Sequence, residues 1–146
     1  MVKKINFNEP YFVAEIGVNH NGNLNLAKKM ILAAKASKAN AVKFQTFSAE
    51  NLASPNTPKV KYQKKKTPRA QTHFQMLKSL ELSKEMHYAL FKFCRKIKID
   101  FISTPYGIEE AKFLDKLGCK IFKTASADLV DLQMHEYLAK KNKTVL

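Results

Sequence analysis

Ala41-Val42-Lys43-Phe44-Gln45-Thr46-Phe47 is a short run of β-branched, aromatic and small apolar residues with an ammonium and an amide set inside it. Strands of a parallel sheet are covered on both faces and read as near-continuous hydrophobic runs. The polar interruptions here are therefore informative. Side chains alternate along a strand, so Lys43 and Gln45 share one face. A lysine in a buried strand is costly unless it is paired or faces a polar cavity. The run predicts a parallel strand that carries part of a polar site.

Similar runs recur on either side, separated by helical patterns. Tyr11-Phe12-Val13-Ala14-Glu15-Ile16-Gly17 precedes it, with Val13 and Glu15 on one face. An Asn- and Gly-rich turn (19–23) follows, then a helix over 24–37 whose apolar residues Leu26, Ala27, Met30, Ile31 and Ala34 recur at three- and four-residue steps. Residues 48–80 contain Pro55, Pro58 and Pro68 and are too broken for one regular element. Ser83 is placed to cap a helix whose apolar face is Met86, Leu90, Phe93, Cys94 and Ile97.

A third strand, Asp100 to Thr104, closes at Pro105, and a helix over 108–117 ends at Gly118. A fourth strand is expected over 120–126, a helix over 132–140, and the opening of a fifth strand at 143–146. Alternation of this kind signals βα units and a parallel sheet, so the fold class is α/β. The pattern alone leaves two architectures open, a small open sheet and four βα units of a larger barrel. A closed eight-stranded barrel takes about 250 residues and this chain has 146.

Composition narrows the functional classes. The chain is 45% hydrophobic and has 4 Gly and 5 Pro, which supports a packed core over a loop-dominated fold. Lys and Arg outnumber Asp and Glu by 26 to 12, for a net charge of +14. The densest basic stretch, Lys59 to Arg69, carries six cations and no acid. It has no nucleic-acid-binding signature beside it, so a role on a polyanion is the weaker reading. Cys94 and Cys119 lie within apolar patterns, as reduced cytoplasmic thiols do. The N-terminus has no apolar stretch behind its lysines, and no run is long enough to span a membrane. The expected location is cytoplasmic.

Active sites of parallel barrels sit at the C-terminal ends of the strands. The spacing would bring Glu15, Lys43, Thr104, Lys123 and Ser126 to one mouth, with Gln45 beside Lys43. Two lysines with hydroxyl donors suit a small ligand bearing phosphate and carboxylate groups. A carboxylate at the same mouth suits a sugar hydroxyl or a proton transfer. Plainer readings stand beside these. Lys43 and Glu15 would also make an interior ion pair, and Lys123 would also reach water between helices. His20 reads as a hydrogen-bonding loop residue. His73, His87 and His135 show no paired metal-ligand spacing, and no HExxH, CxxC or P-loop occurs. Tyr106 and the phenylalanines read as packing.

Five segments, in order, resemble the sialic acid synthase family, which includes N-acetylneuraminate, legionaminate and pseudaminate synthases. They are Ala14-Glu15 to Gly22, Val42-Lys43-Phe44-Gln45-Thr46, Leu80-Glu81-Leu82-Ser83, Phe101 to Tyr106, and Phe122-Lys123-Thr124-Ala125-Ser126. The resemblance implies the N-terminal half of a (β/α)8 TIM barrel over residues 1–146. The C-terminal half-barrel and an antifreeze-like capping domain would lie outside this chain. It also implies condensation of phosphoenolpyruvate with N-acetylmannosamine or a related amino-sugar aldehyde.

By position, Lys43, Thr104, Lys123 and Ser126 resemble phosphoenolpyruvate-binding residues, with Gln45 and Asp128 alongside them at the substrate site. Glu15 resembles the glutamate facing the acceptor. The family uses a divalent metal, Mn2+ or Mg2+, whose histidine ligands would lie beyond Leu146. A homodimer is implied for the complete enzyme. One departure is local. The family commonly reads Lys-Ile-Gly-Ser-Gly-Glu where this chain has Lys123-Thr124-Ala125-Ser126-Ala127-Asp128. An inactive half-barrel is the alternative to a working synthase part.

A half-barrel leaves its first and fifth strands as open edges. The isolated chain is expected to dimerise, aggregate or fold loosely. Sedimentation velocity with a thermal melt checks this, and a monomer with one cooperative transition would count against an incomplete barrel.

Overall fold

The computed structural model describes residues 8–54, 57–58 and 71–146. The basic stretch at 59–69 and the residues before 8 lie outside them. Five parallel strands are joined in chain order: β1 (Val13–Gly17), β2 (Ala41–Thr46), β3 (Asp100–Pro105), β4 (Ile121–Phe122) and β5 (Thr144–Val145). Between them run α1 (Leu24–Ala36), α2 (Ala49–Leu52), α3 (His73–Leu80), α4 (Lys84–Lys96), α5 (Ile108–Leu117) and α6 (Leu132–Ala139). Among the described residues no helix is long and apolar enough to cross a membrane.

The order β1-β2-β3-β4-β5 means each crossover advances by one strand in the same direction. A doubly wound sheet would reverse its order at a switch point. The two faces of the sheet differ accordingly. Ile16, Val42, Phe44, Phe101 and Phe122 pack with Ile31, Leu90, Cys94, Leu114 and Met134 from the helices. Phe44 stacks on Phe101 at 5.3 Å, and Phe91 from α4 meets Phe101 edge-on at 5.8 Å. Each fully buried large apolar side chain contributes about 1.5–3 kcal/mol, which makes this the main stabilising layer. The opposite face has a smaller apolar cluster of Ala41, Ile102 and Ile121, closed by Tyr11 and Val13. Tyr11 donates its hydroxyl to the Asp100 carboxylate across that base.

Local sequence explains the helix ends. Asn23 accepts from the Leu26 amide at 3.0 Å, Ser83 from Met86 at 3.2 Å, and Asp131 from Met134 at 3.0 Å. Gly118 ends α5 with φ 98°, a left-handed value that suits glycine. Parts of the 48–80 excursion prove regular. Ser48 starts the single turn α2, and Thr72 with Gln75 forms a reciprocal capping box on α3. The Glu81 carboxylate then accepts from the Ala49 amide at 3.0 Å, tying the return of the excursion to its start.

Two sequence expectations are corrected. The fourth strand is only Ile121–Phe122, with Lys123 extended beyond it. Residues Ser126–Asp128 form a 3-10 turn, so Ser126 is not a strand residue and is exposed. Extended chain continues past Phe122 because the Thr124 amide still reaches the Leu146 carbonyl at 3.0 Å.

Gly22 joins the first turn to the excursion. Its φ is +67°, and a Cβ there would stand 2.5 Å from the Ser79 carbonyl oxygen. Gly22→Ala is expected to destabilise the chain by about 2 kcal/mol or more, from left-handed strain and the backbone clash. A lowered urea midpoint checks it.

Candidate active site

Residues opposite one another in a parallel ladder point to the same side. Glu15 pairs in register with Lys43, and Lys43 with Ile102. Gln45 pairs with Thr104. Because Ile102 belongs to the helix-free face, Glu15, Lys43, Gln45 and Thr104 all rise from that face above the small apolar base. Lys123 stands two residues beyond Ile121, in the same phase, and its amide donates to the Ser103 carbonyl.

Lys43 Nζ lies 2.5 Å from Glu15 Oε2 and donates to Thr104 Oγ1 at 3.4 Å. The lysine side chain is 15% exposed and the glutamate 51%, so the cation is sheltered while the carboxylate reaches solvent. The expected interior ion pair therefore exists, and it sits at the strand mouth. Gly17, with φ +54°, lets the chain turn away directly above Glu15; a Cβ there would be 3.0 Å from Glu15 Oε1 and 3.9 Å from Gln45 Nε2. Lys123 Nζ donates to the Thr124 carbonyl at 2.5 Å, folding back along its own strand.

Asp128 arrives from the 3-10 turn. Its Oδ2 is buried without a hydrogen-bond partner among the described residues. Burial, followed by repulsion from Asp131, pushes its carboxyl above the usual aspartate value. Asp128 thus carries an unpartnered acceptor oxygen in the turn that follows β4. Ser126 is brought to the same turn but is exposed, and no contact joins its side chain to Lys43 or Thr104.

Sequence reasoning missed a buried polar chain behind the mouth. Thr46 and Ser103 point to the helix side, where the Thr46 hydroxyl lies 2.7 Å from Ser103 Oγ and 2.9 Å from His87 Nε2. His87 Nδ1 lies 2.9 Å from the Ser83 carbonyl, which can only accept, so the ring proton is on Nδ1. Nε2 then accepts from Thr46, and Ser103 donates to Thr46. The available signal was two hydroxyl residues on the apolar side of β2 and β3, where hydrophobic residues belong. His20 lies near this chain, buried, with Nδ1 accepting from the Gly22 amide at 3.0 Å. Its loop role is as expected. A cavity of about 380 Å³ beside this chain is lined by Thr46, Phe47, Glu81, His87, Glu109 and Glu110. Three carboxylates against one lysine, Lys84, make it unsuited to an anion.

Among the described residues no cluster of three or more His, Cys, Asp or Glu is placed to hold a metal ion. Cys94 and Cys119 are free and buried, and burial pushes both thiols up to about 12. They are packing residues, not nucleophiles.

The arrangement is that of an α/β protein with a charged site at the C-terminal ends of parallel strands. Comparison with known proteins places it further. The family model described as the NeuB family matches residues 30–146, and the chain belongs to that family. It is 43% identical over 131 residues to the N,N'-diacetyllegionaminic acid synthase of Legionella pneumophila, covering 90% of this chain and 37% of the relative. It is 30% identical to the human N-acetylneuraminate-9-phosphate synthase, covering 93% and 38%. The solved N-acetylneuraminic acid synthetase of Leptospira borgpetersenii, in complex with citrate, superposes with a TM-score of 0.79 at 32% identity, covering 94% of this chain and 44% of that one. The chain thus spans well under half the length of these relatives.

Both buried histidines titrate below the ordinary value of 6.5, His87 chiefly through burial and His20 through burial and the proximity of His87. The hydrogen bond to the Ser83 carbonyl, and then the charge of Glu81, oppose this for His87 without reversing it. The unfolded chain therefore binds protons that the folded chain refuses. Stability is complete above 6.5 and falls as pH drops towards the folded values. The urea midpoint is expected to decline as pH is lowered from about 7.5 to about 5.5, and less steeply in His87→Gln. Equal slopes in the two proteins would exclude His87 as a source.

Proposed function

We propose that this chain is the N-terminal half of a (β/α)8 TIM barrel of a nonulosonic acid synthase. In that reading it supplies the phosphoenolpyruvate-binding and acceptor-orienting side of the active site. The observation that carries this reading is the convergence of Glu15, Lys43 and Thr104 within 3.4 Å steps at the strand mouths, in a chain of the NeuB family. The one-directional strand order, with helices packed on a single face, is the winding a barrel requires.

The chemistry follows from the charges. Lys43 is held between a carboxylate and a hydroxyl, so an arriving phosphate or carboxylate can take the place of Glu15 at its ammonium. Lys123, whose ammonium donates to the Thr124 carbonyl, turns to the same anion from the β4 side. Thr104 donates to an anionic oxygen, and Gln45 offers an amide beside it. Ser126 and Asp128 approach from the 3-10 turn, Ser126 as a further hydroxyl donor and Asp128 as an acceptor for a sugar hydroxyl.

Glu15, released from Lys43, is free to orient the acceptor and to take or give a proton at its aldehyde oxygen or the adding water. In the overall reaction the C3 carbon of phosphoenolpyruvate bonds to the aldehyde carbon, water adds at C2, and phosphate leaves. Among the described residues no cluster of three or more His, Cys, Asp or Glu would hold a divalent metal, Mn2+ or Mg2+, and this reading assigns its histidine ligands to the rest of the barrel.

The same reading includes the rest of the barrel, a capping domain and a homodimer. It is supported by the span of the relatives and by Leu129, Val130 and Leu132, which are 74%, 84% and 70% exposed beside Asp128. The free buried thiols go with a cytoplasmic location. Within this proposal the 146-residue chain alone binds substrate without turnover.

Phosphoenolpyruvate titrated into the chain by calorimetry tests it. Lys43→Ala and Lys123→Ala are each expected to weaken binding at least tenfold, the scale of a lost charge-assisted hydrogen bond of about 1.5–3 kcal/mol. Unchanged affinity in both variants would overturn the assignment.

A further inference from the structure

Two residues past Gln45 and Thr104, which pair in register, stand Phe47 and Tyr106. The Tyr106 amide donates to the Thr46 carbonyl at 3.0 Å, so the ladder continues one step beyond the strand ends. Both residues lie just past the strand ends, Tyr106 in a bend, so their rings stand at the mouth end of β2 and β3. The rings meet edge-on with centroids 6.2 Å apart. Phe47 is 7% exposed and lies behind, whereas Tyr106 is only partly buried and presents the surface. Phe47 therefore fixes the tyrosine ring, and Tyr106 forms the rim.

The surroundings decide what that rim can bind. Burial, and then the charges of Asp128 and Glu15, raise the ionisation of the Tyr106 hydroxyl above the ordinary tyrosine value of 10.0. The phenol remains a hydrogen-bond donor throughout the neutral range. Two carboxylates nearby repel an anion at this point, so phosphate and carboxylate groups belong at Lys43 and Lys123. A neutral group with an apolar part and an acceptor oxygen fits instead. An acylamino substituent has both, a methyl to lie on the ring and a carbonyl to accept from the hydroxyl.

We propose that Tyr106, backed by Phe47, is a specificity-determining contact that receives the N-acyl group of the acceptor sugar. This rests on the synthase reading above. It reverses the expectation that Tyr106 is packing alone.

Saturation-transfer NMR on the full chain tests it, with N-acetylmannosamine and mannose as probes. Irradiating the aromatic protons is expected to saturate the N-acetyl methyl of the first probe, and the chain should bind N-acetylmannosamine several-fold more tightly than mannose. Tyr106→Leu should lose the methyl signal and that preference. Tyr106→Phe should keep the methyl signal, with the preference reduced severalfold through loss of the hydroxyl. Phosphoenolpyruvate affinity, unchanged in both, shows that the fold is intact. A methyl signal and preference that survive Tyr106→Leu overturn the contact, as does no transfer to the methyl in the unsubstituted chain. If Lys43→Ala still weakens phosphoenolpyruvate in those cases, only the rim assignment falls. If it does not, the synthase reading falls with it.

Discussion

An ammonium inside a β-strand is the constraint around which this structure is arranged. Lys43 stands between Phe44 and Val42, both fully buried, and is itself 15% exposed. A charge so placed needs a partner and an open polar face, because burying it alone costs several kcal/mol. Register supplies the partner: Glu15 is directly opposite on β1, and a hydroxyl from β3 completes the set. Above its base that face carries the charged set, and the helices pack on the other face. Crossovers of one hand that each advance by one strand keep them there.

The two faces are not independent. Thr46 is the residue through which they meet. Its hydroxyl joins Ser103 and His87 behind the sheet, while its carbonyl accepts the Tyr106 amide at the mouth. His87 is in turn anchored to the Ser83 carbonyl, at the capped start of α4. Leu80 to Ser83 thereby does three jobs: Glu81 binds the Ala49 amide, Leu82 is buried, and Ser83 caps a helix while holding His87. A segment that carried the family resemblance thus has a physical reason for its composition. Position at the mouth is set from behind, by buried hydrogen bonds that are shielded from water and directional.

Strands β1 to β3 and helices α1, α4 and α5 were legible because each announces itself by period and by a capping residue. The Glu15, Lys43, Gln45 and Thr104 face was legible for the same reason, since alternation in a strand fixes which side chains share a side. Strand four was misread because Lys123 to Ser126 has β-like composition but only two residues find ladder partners. Composition cannot report where a neighbouring strand stops. The Thr46–His87 link joins residues 41 apart, beyond any local pattern.

The departure at residues 124–128 looks damaging in sequence and is benign in structure. Glycine is required where φ is positive or where a Cβ would collide. Ala125 has φ −78° and ψ 148°, an ordinary extended conformation, and Ala127 is not among the residues with positive φ. Thr124, where the family commonly has isoleucine, uses both its amide and its hydroxyl on the Leu146 carbonyl, at 3.0 and 3.3 Å. An isoleucine would keep the amide bond and lack the hydroxyl one. The change that alters chemistry is the shorter acid. Asp128 reaches the mouth from a tight turn with a buried, unpartnered oxygen, its position fixed where His135 meets its carbonyl at 3.0 Å. Burial and then the charge of Asp128, ahead of that of Glu15, raise the ionisation of the Tyr106 phenol, so the shorter acid is felt at the aromatic edge of the site.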